Sequence, residues 1–287
     1  MTLSLNKITK TFGEVKALNN VSLEFTEPMI YGLLGRNGAG KTTLLNIING
    51  RIFPDSGEVL MDGIPVADRD ELLSKIHLMG EVNYYDDDLK LKDAIKTVDG
   101  FYGEAFIVAE AHRYAKLFEL DETKKIGKLS TGYKSIFKCC IALALDVPFV
   151  FFDEPVLGLD ANHRDLFYKL LIEDYSRKPK VIVLSTHLIE EASPIIEKFV
   201  IIKQGRILLE KSAESLAQYA SSVTGPKEKV EQAVSGCQIL GRSFIGALET
   251  AYIVGKLSGT CDGLTVQNID AQRLFIELTN TDKEASL

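Results

Sequence analysis

The 287-residue chain reads as an α/β fold with a parallel sheet. A short apolar run at 29–34 leads into a glycine-rich segment and then into helical residues 42–49. Apolar runs at 149–152, 181–185 and 199–202 follow, the first two separated by a helical stretch at about 162–175. Strand, glycine-rich turn and helix open an α/β unit. Strands spaced by helices imply parallel pairing.

The elements follow in order. Leu3, Leu5 and Ile8 begin an extended segment. Val21, Leu23 and Phe25 alternate with Ser22 and Glu24, the pattern of a half-buried antiparallel strand. The run 29–34 ends at Gly35 and suits a strand buried on both faces. The helix after the glycine-rich turn stops at Gly50. Helical patterns at 91–98, 106–120 and 132–145 make 81–145 a helical subdomain inserted into the α/β core. Gln204-Gly205 marks a hairpin turn, and the core pattern ends near Glu210. Beyond it, Thr224-Gly225-Pro226 is expected to open a short polar helix through Val234. Strand-like segments at 251–254 and 264–266 and a last helix at 270–278 complete a small α+β extension. The expected division is 1–210 for the core, with 81–145 inserted, and 211–287 for the extension.

Lys and Arg number 33 against 40 Asp and Glu, a net charge of −7, with 46% hydrophobic and 25% charged residues. This is the balance of an ordinary globular protein. An acidic surface argues against nucleic acid as a partner, because such binding rests on Lys and Arg neutralising phosphates. No apolar run reaches the ~18 residues of a membrane span, and residues 1–6 lack a signal-peptide pattern. The expected location is therefore cytoplasmic. Cys139, Cys140, Cys237 and Cys261 show no metal-ligand spacing, and the first two lie in an apolar helical run as buried thiols.

Chemistry concentrates at two places. Gly35-Arg36-Asn37-Gly38-Ala39-Gly40-Lys41-Thr42 fits GxxxxGK[ST]. Glycines let successive backbone N–H groups wrap a phosphate, and the following helix, from Thr42-Thr43 onward, presents its N-terminus to an anion. Lys41 neutralises β- and γ-phosphate charge, and Thr42 offers a hydroxyl to Mg²⁺. Asp153-Glu154 closes the run 149–152, at the strand end where open α/β sheets bind ligands. Asp153 can hold Mg²⁺. Glu154 can orient or deprotonate an attacking water.

Taken with these two motifs, the chain from 1 to about 210 resembles the ATP-binding subunits of ABC transporters. The resemblance implies a P-loop NTPase core of the ABC ATPase type, with ATP and Mg²⁺ as ligands. Gly35 to Thr42 resembles its Walker A and 149–154 its Walker B with the catalytic Glu154. Leu157-Gly158-Leu159-Asp160 resembles the D-loop, and His187 the switch histidine that binds the γ-phosphate. Phe12 lies where the family stacks an aromatic on adenine. Leu129-Ser130-Thr131-Gly132-Tyr133 resembles the signature LSGGQ, departing at Thr131 and Tyr133. Ser130 can cap the helix that follows, whose N-terminus can face a γ-phosphate. In the family that phosphate belongs to a partner's ATP, so Ser130 and Gly132 are assigned to nucleotide contact across a dimer. Glu81 stands where the family usually has Gln, and its carboxylate can meet the metal.

The resemblance implies an ATPase that drives a membrane transporter. It would dimerise with itself or a sibling subunit, dock through 81–145 onto a separate transmembrane permease, and sit peripherally at the inner face of the cell membrane. The extension and Phe101-Tyr102-Gly103 resemble drug- or peptide-exporter relatives, which favours export. A soluble ABC-type ATPase in repair or translation and a phosphate-loop kinase are the alternatives. The kinase has no need of the 129–133 segment or His187.

Overall fold

The computed structural model describes residues 1–257 and 263–280; Cys261 lies outside them. Strands β1 (Leu3–Phe12) and β2 (Val15–Phe25) form a long antiparallel pair. Val21, Leu23 and Phe25 point inward along β2, with Ser22 and Glu24 exposed. Strand β3 (Met29–Leu34) leads into helix α1 (Lys41–Ile48), which ends at Asn49-Gly50. There follow β4 (Ser56–Met61), β5 (Ile64–Pro65), the short helix α2 (Asp70–Leu73) and β6 (Ile76–Met79). The first sheet has the order β2-β1-β4-β5.

The next stretch is helical, as the periodicity predicts. It contains α3 (Leu91–Tyr102), α4 (Val108–Leu117) and α5 (Thr131–Leu143). Both α4 and α5 are shorter than the predicted spans. Helix α5 begins at Thr131 because the Ser130 hydroxyl accepts the Tyr133 N–H at 3.3 Å. The chain returns to strands through β7 (Phe149–Asp153), α6 (Ala161–Arg177), β8 (Val181–Ser185), α7 (Ile189–Ala192), β9 (Lys198–Lys203) and β10 (Arg206–Ser212). The central sheet runs β10-β9-β3-β8-β7-β6, parallel throughout except for the β9–β10 hairpin at Gln204-Gly205.

Successive residues of a strand face opposite sides, and here both sides are covered. Tyr31, Leu33, Phe149, Phe151, Val181 and Val183 pack against α1 and the antiparallel sheet. Ile30, Leu34, Val150, Phe152, Ile182 and Leu184 pack against the helical side. That burial on two faces is why these strands read as continuous apolar runs. Phe151 meets Phe25 edge-on at 5.8 Å, and Phe152 meets Phe167 of α6 at 5.4 Å. Each fully buried phenyl ring contributes about 1.5–3 kcal/mol. Cys139 and Cys140 are buried free thiols on α5, as expected.

The remainder comprises α8 (Ala213–Ala217), β11 (Ala220–Pro226), α9 (Lys227–Ala233), β12 (Ile239–Ile245), β13 (Leu248–Val254), β14 (Thr265–Asn268) and α10 (Ala271–Thr279). Its antiparallel sheet has the order β12-β13-β11-β14. The expected helix opening at Thr224-Gly225-Pro226 is corrected. Those residues end strand β11, where Thr224 pairs with both Thr250 and Thr265. The helix starts only at Lys227, after Pro226, whose fixed φ suits a helix entry. Strand β12 carries only one fully buried residue, so no apolar alternation marks it in the sequence. The extension has a small core of its own around Val223, Val230 and Ile253. Its last helix, α10, is capped by Asp270 and buries Leu274 in the main core.

Candidate functional site

Strands β3, β8 and β7 are parallel neighbours, with Leu33 and Asp153 both in register with Ser185. Their carboxyl ends therefore open side by side onto one cleft, the usual ligand position in an open α/β sheet. The loop after β3 supplies residues 35–40, the end of β7 supplies Asp153 and Glu154, and the turn after β8 supplies His187.

The loop owes its shape to glycine. Gly38 and Gly40 have φ of 78° and 107°, values that side chains resist. A Cβ on Gly40 would stand 2.5 Å from the Ala17 carbonyl oxygen. Left-handed residues in such a loop turn backbone N–H groups toward a common centre, a nest for anions. The hairpin turn braces the loop, with the Gly205 N–H donating to the Ala39 carbonyl at 3.0 Å.

Lys41 opens α1 and is buried, 6% exposed. Its ammonium donates to the Gly35 carbonyl at 2.6 Å and lies 3.9 Å from the Glu154 carboxylate. Burial pulls its pKa below the ordinary lysine value, while Glu154 and Asp153 pull it back up. Thr42 donates its hydroxyl to Asp153 Oδ2 at 2.6 Å, and Ser185 donates to Oδ1 at 2.8 Å. Glu154 adopts φ 51°, uncommon for a side-chain-bearing residue. Its N–H donates to the Ser185 carbonyl at 2.8 Å, and its Oε2 is hydrogen-bonded to His187 Nδ1 at 2.8 Å. The left-handed turn thus aims the carboxylate across the strand ends instead of along β7, a form of strain common at functional sites.

A cleft of about 950 Å³ gathers these groups. Gly35, Arg36, Asn37, Gly38, Ala39, Gly40, Lys41, Thr42, Thr43, Glu81, Asp153, Glu154 and His187 all line it. Six further residues line it, Val15, Lys16, Ala17, Leu157, Gln204 and Phe275, none of which sequence reasoning assigned to the nucleotide site. The first three flank the β1–β2 turn, Gln204 sits in the hairpin, and Phe275 comes from the C-terminal helix α10. Phe12 is not among the lining residues. It sits at the rim, paired in register with Val15, half-exposed, with the Lys10 ammonium 5.4 Å from its ring centre.

Ser130, Gly132 and Asp160 are not among the residues lining this cleft, although Leu157 of the loop before Asp160 is. A Cβ on Gly132 would meet the Gly158 carbonyl at 2.9 Å, so glycine lets α5 start against the loop before Asp160. Asp160 caps α6 and is bonded to His163 Nδ1 at 2.8 Å. His163 in turn meets the Tyr133 ring edge-on at 5.9 Å.

A second hollow, an apolar groove of about 440 Å³, lies between β6 and α3. Val82, Tyr84 and Phe101 line it and are 58%, 63% and 83% exposed. At its floor His77 Nδ1 is hydrogen-bonded to the Tyr102 hydroxyl at 3.1 Å. Burial, helped by the positive Arg51, pushes the His77 pKa down to about 4. The unfolded chain therefore takes up a proton near pH 6.5, and the folded one resists until about pH 4. Stability from this group is full above pH 6.5 and lost as pH falls through that window. In melts between pH 7 and 4, His77→Phe is expected to lose less stability than the unmodified chain, with the difference confined to that window.

Fold and cleft together define a phosphate-loop nucleotide-binding protein. A profile described as ABC transporter matches residues 18–157. The chain is 31% identical over 189 residues to the ABC transporter ATP-binding protein YtrB of Bacillus subtilis, covering 66% of this chain and 64% of YtrB. It thus spans under two thirds of that relative. It is 30% identical to the Nod factor export ATP-binding protein I of Burkholderia lata, covering 75% of this chain and 72% of that one. Identity is also 30% to the petrobactin import ATP-binding protein YclP of Bacillus subtilis, with 75% and 89% covered. Among solved structures, the cassette MJ0796, a dimer bound to ADP and Pi, superposes with a TM-score of 0.63 at 26% identity, covering 73% and 98%. The chain belongs to the family of ABC transporter ATP-binding proteins. Among the described residues no helix is long and apolar enough to cross a membrane.

Proposed function

We propose that this chain hydrolyses ATP to power a separate transmembrane permease. Residues 1–210 would form the ATPase domain with 81–145 as its inserted helical part, and 211–287 an appended extension. The convergence of Lys41, Thr42, Asp153, Glu154 and His187 on one cleft carries this reading.

In it, adenine stacks on Phe12 at the rim, and the N–H groups of residues 35–43 with the Lys41 ammonium take the phosphates. Thr42 and Asp153 would hold Mg²⁺ with Glu81 nearby, since hydroxyl and carboxylate oxygens are the hard donors that suit it. The ion, when bound, neutralises charge on the β- and γ-oxygens. Glu154 accepts a proton from water as that water's oxygen bonds to the γ-phosphorus and the bond to the ADP oxygen breaks. His187 orients Glu154 through Nδ1, in keeping with their 2.8 Å contact, and senses the γ-phosphate.

Ser130, Gly132 and Asp160 suit contacts to a second subunit, a copy or a sibling, because they stand outside their own cleft. ATP bridging the two subunits favours the closed pair, since it binds that state more tightly. Hydrolysis removes the bridge. Export is the preferred direction, supported by the resemblance of 211–287 to exporter extensions; the relatives themselves include both export and import proteins. The chain would sit peripherally at the inner face of the membrane.

The groove beside α3 is the docking surface in this reading, for its exposed apolar rim suits a helix from a membrane protein. Phe101→Glu is expected to release the chain from the membrane fraction of its own cells while leaving ATP turnover of the isolated chain within twofold. Unmodified chain that never sediments with membranes would favour an ATPase not coupled to transport.

A further inference from the structure

The nucleotide cleft and the apolar groove are separated by the short segment that follows β6. Glu81 lines the cleft, and Gly80 lines the groove. Behind this segment stands Lys138, on the helix that begins at the signature residues. Its side chain is 8% exposed. The ammonium donates to the Gly80 carbonyl at 2.6 Å and to the Glu81 carbonyl at 2.8 Å.

A lysine buried on an otherwise apolar stretch of α5 is costly unless its charge is met. Here it is met by two carbonyl oxygens of adjacent residues, in charge-assisted bonds stronger than neutral ones. Those two bonds fix the orientation of both peptide units. The segment has no regular secondary structure to hold it otherwise. The Glu81 carboxylate also attracts the ammonium. The Glu81 carboxylate lines the nucleotide cleft and adds negative charge beside the phosphates. The Lys138 ammonium, bonded to the carbonyl of the same residue, offsets part of that charge.

We propose that Lys138 is a positioning residue for ATP hydrolysis: by clamping the Gly80 and Glu81 carbonyls it sets where the Glu81 side chain enters the cleft and partly balances its charge. This rests on the reading of Glu81 as a member of the nucleotide site. The clamp also ties the start of α5, with Ser130 and Gly132, to the segment carrying Glu81.

The test compares Lys138→Met, Lys138→Arg, Glu81→Ala and the double variant Glu81→Ala/Lys138→Met in the full chain. Lys138→Met keeps the length of the stem and removes the donors. It is expected to lower kcat about tenfold, the cost of losing about one charge-assisted bond, with KM for ATP within twofold. Lys138→Arg, which keeps charge and donors, recovers most of the loss. Amide exchange of Glu81 and Val82, measured without nucleotide, quickens in Lys138→Met and not in Lys138→Arg. The double variant turns over no more slowly than Glu81→Ala alone. Should Lys138→Met fold poorly, Lys138→Gln, which is polar but uncharged and shorter, is read by the same exchange and kcat. Normal turnover in Lys138→Met, or a drop in melting temperature with unchanged kcat, overturns the proposal while the site reading stands. Normal turnover in Glu81→Ala removes Glu81 from the site and the proposal with it.

Discussion

Glu154→Gln is expected to reduce phosphate release by about 10²–10⁴-fold, the range for loss of a general base, while ATP binding survives. Glutamine has the same shape and can still accept from His187, so the left-handed turn and the contact at 2.8 Å persist. What it loses is the charge that draws a proton from water. The Lys41 ammonium, 3.9 Å away, also loses an opposing carboxylate and stays free to meet phosphate. ATP should therefore still hold two subunits together, and for longer. Phosphate release and light scattering with and without Mg-ATP check both parts. Unchanged turnover would remove Glu154 from its role.

Lys41→Ala should act on binding instead. The ammonium is almost fully enclosed and holds the Gly35 carbonyl at 2.6 Å. It both braces the loop and presents a positive charge inside it. Burial works against that charge, and Glu154 and Asp153 sustain it until phosphate takes over. Removing it takes away the buried ammonium that stands beside the Glu154 and Asp153 carboxylates and would face an anionic ligand. A loss of about 10²-fold in ATP affinity is expected, comparable to a hydrogen bond to a charged group plus its Coulomb attraction. Titration with a fluorescent ATP analogue measures it. Equal affinity in the variant would contradict the assignment of the phosphate loop.

The legible part of the molecule was the part with local signals. Residues 29–34, 149–152 and 181–185 announced themselves as strands because both faces are buried, leaving no polar alternation. Gly35 to Thr42 was readable because the chemistry demands particular residues at fixed spacing. Asp153, Glu154 and His187 were readable as strand-end residues once the order of motifs was seen. The start of α5 was readable too, because Ser130 caps it with its own hydroxyl. Strand β12 was not, because most of its residues are exposed and nothing alternates cleanly. Thr224-Gly225-Pro226 misled, because a turn composition can equally end a strand.

The sequence by itself determined the class of chemistry. A glycine loop with Lys41 and Thr42, followed by a buried strand ending in two carboxylates, leaves few uses other than holding and cutting a phosphate chain. Which groups share the cleft was decided by tertiary structure. Phe275 arrives beside the phosphate loop only because Leu274, its neighbour, is drawn into the main core. Lys138 reaches the Glu81 segment only because α5 packs behind β6. Periodicity along a chain reports that a face is buried, but the partner covering it lies tens to hundreds of residues away. That choice is made when all the apolar faces are satisfied together.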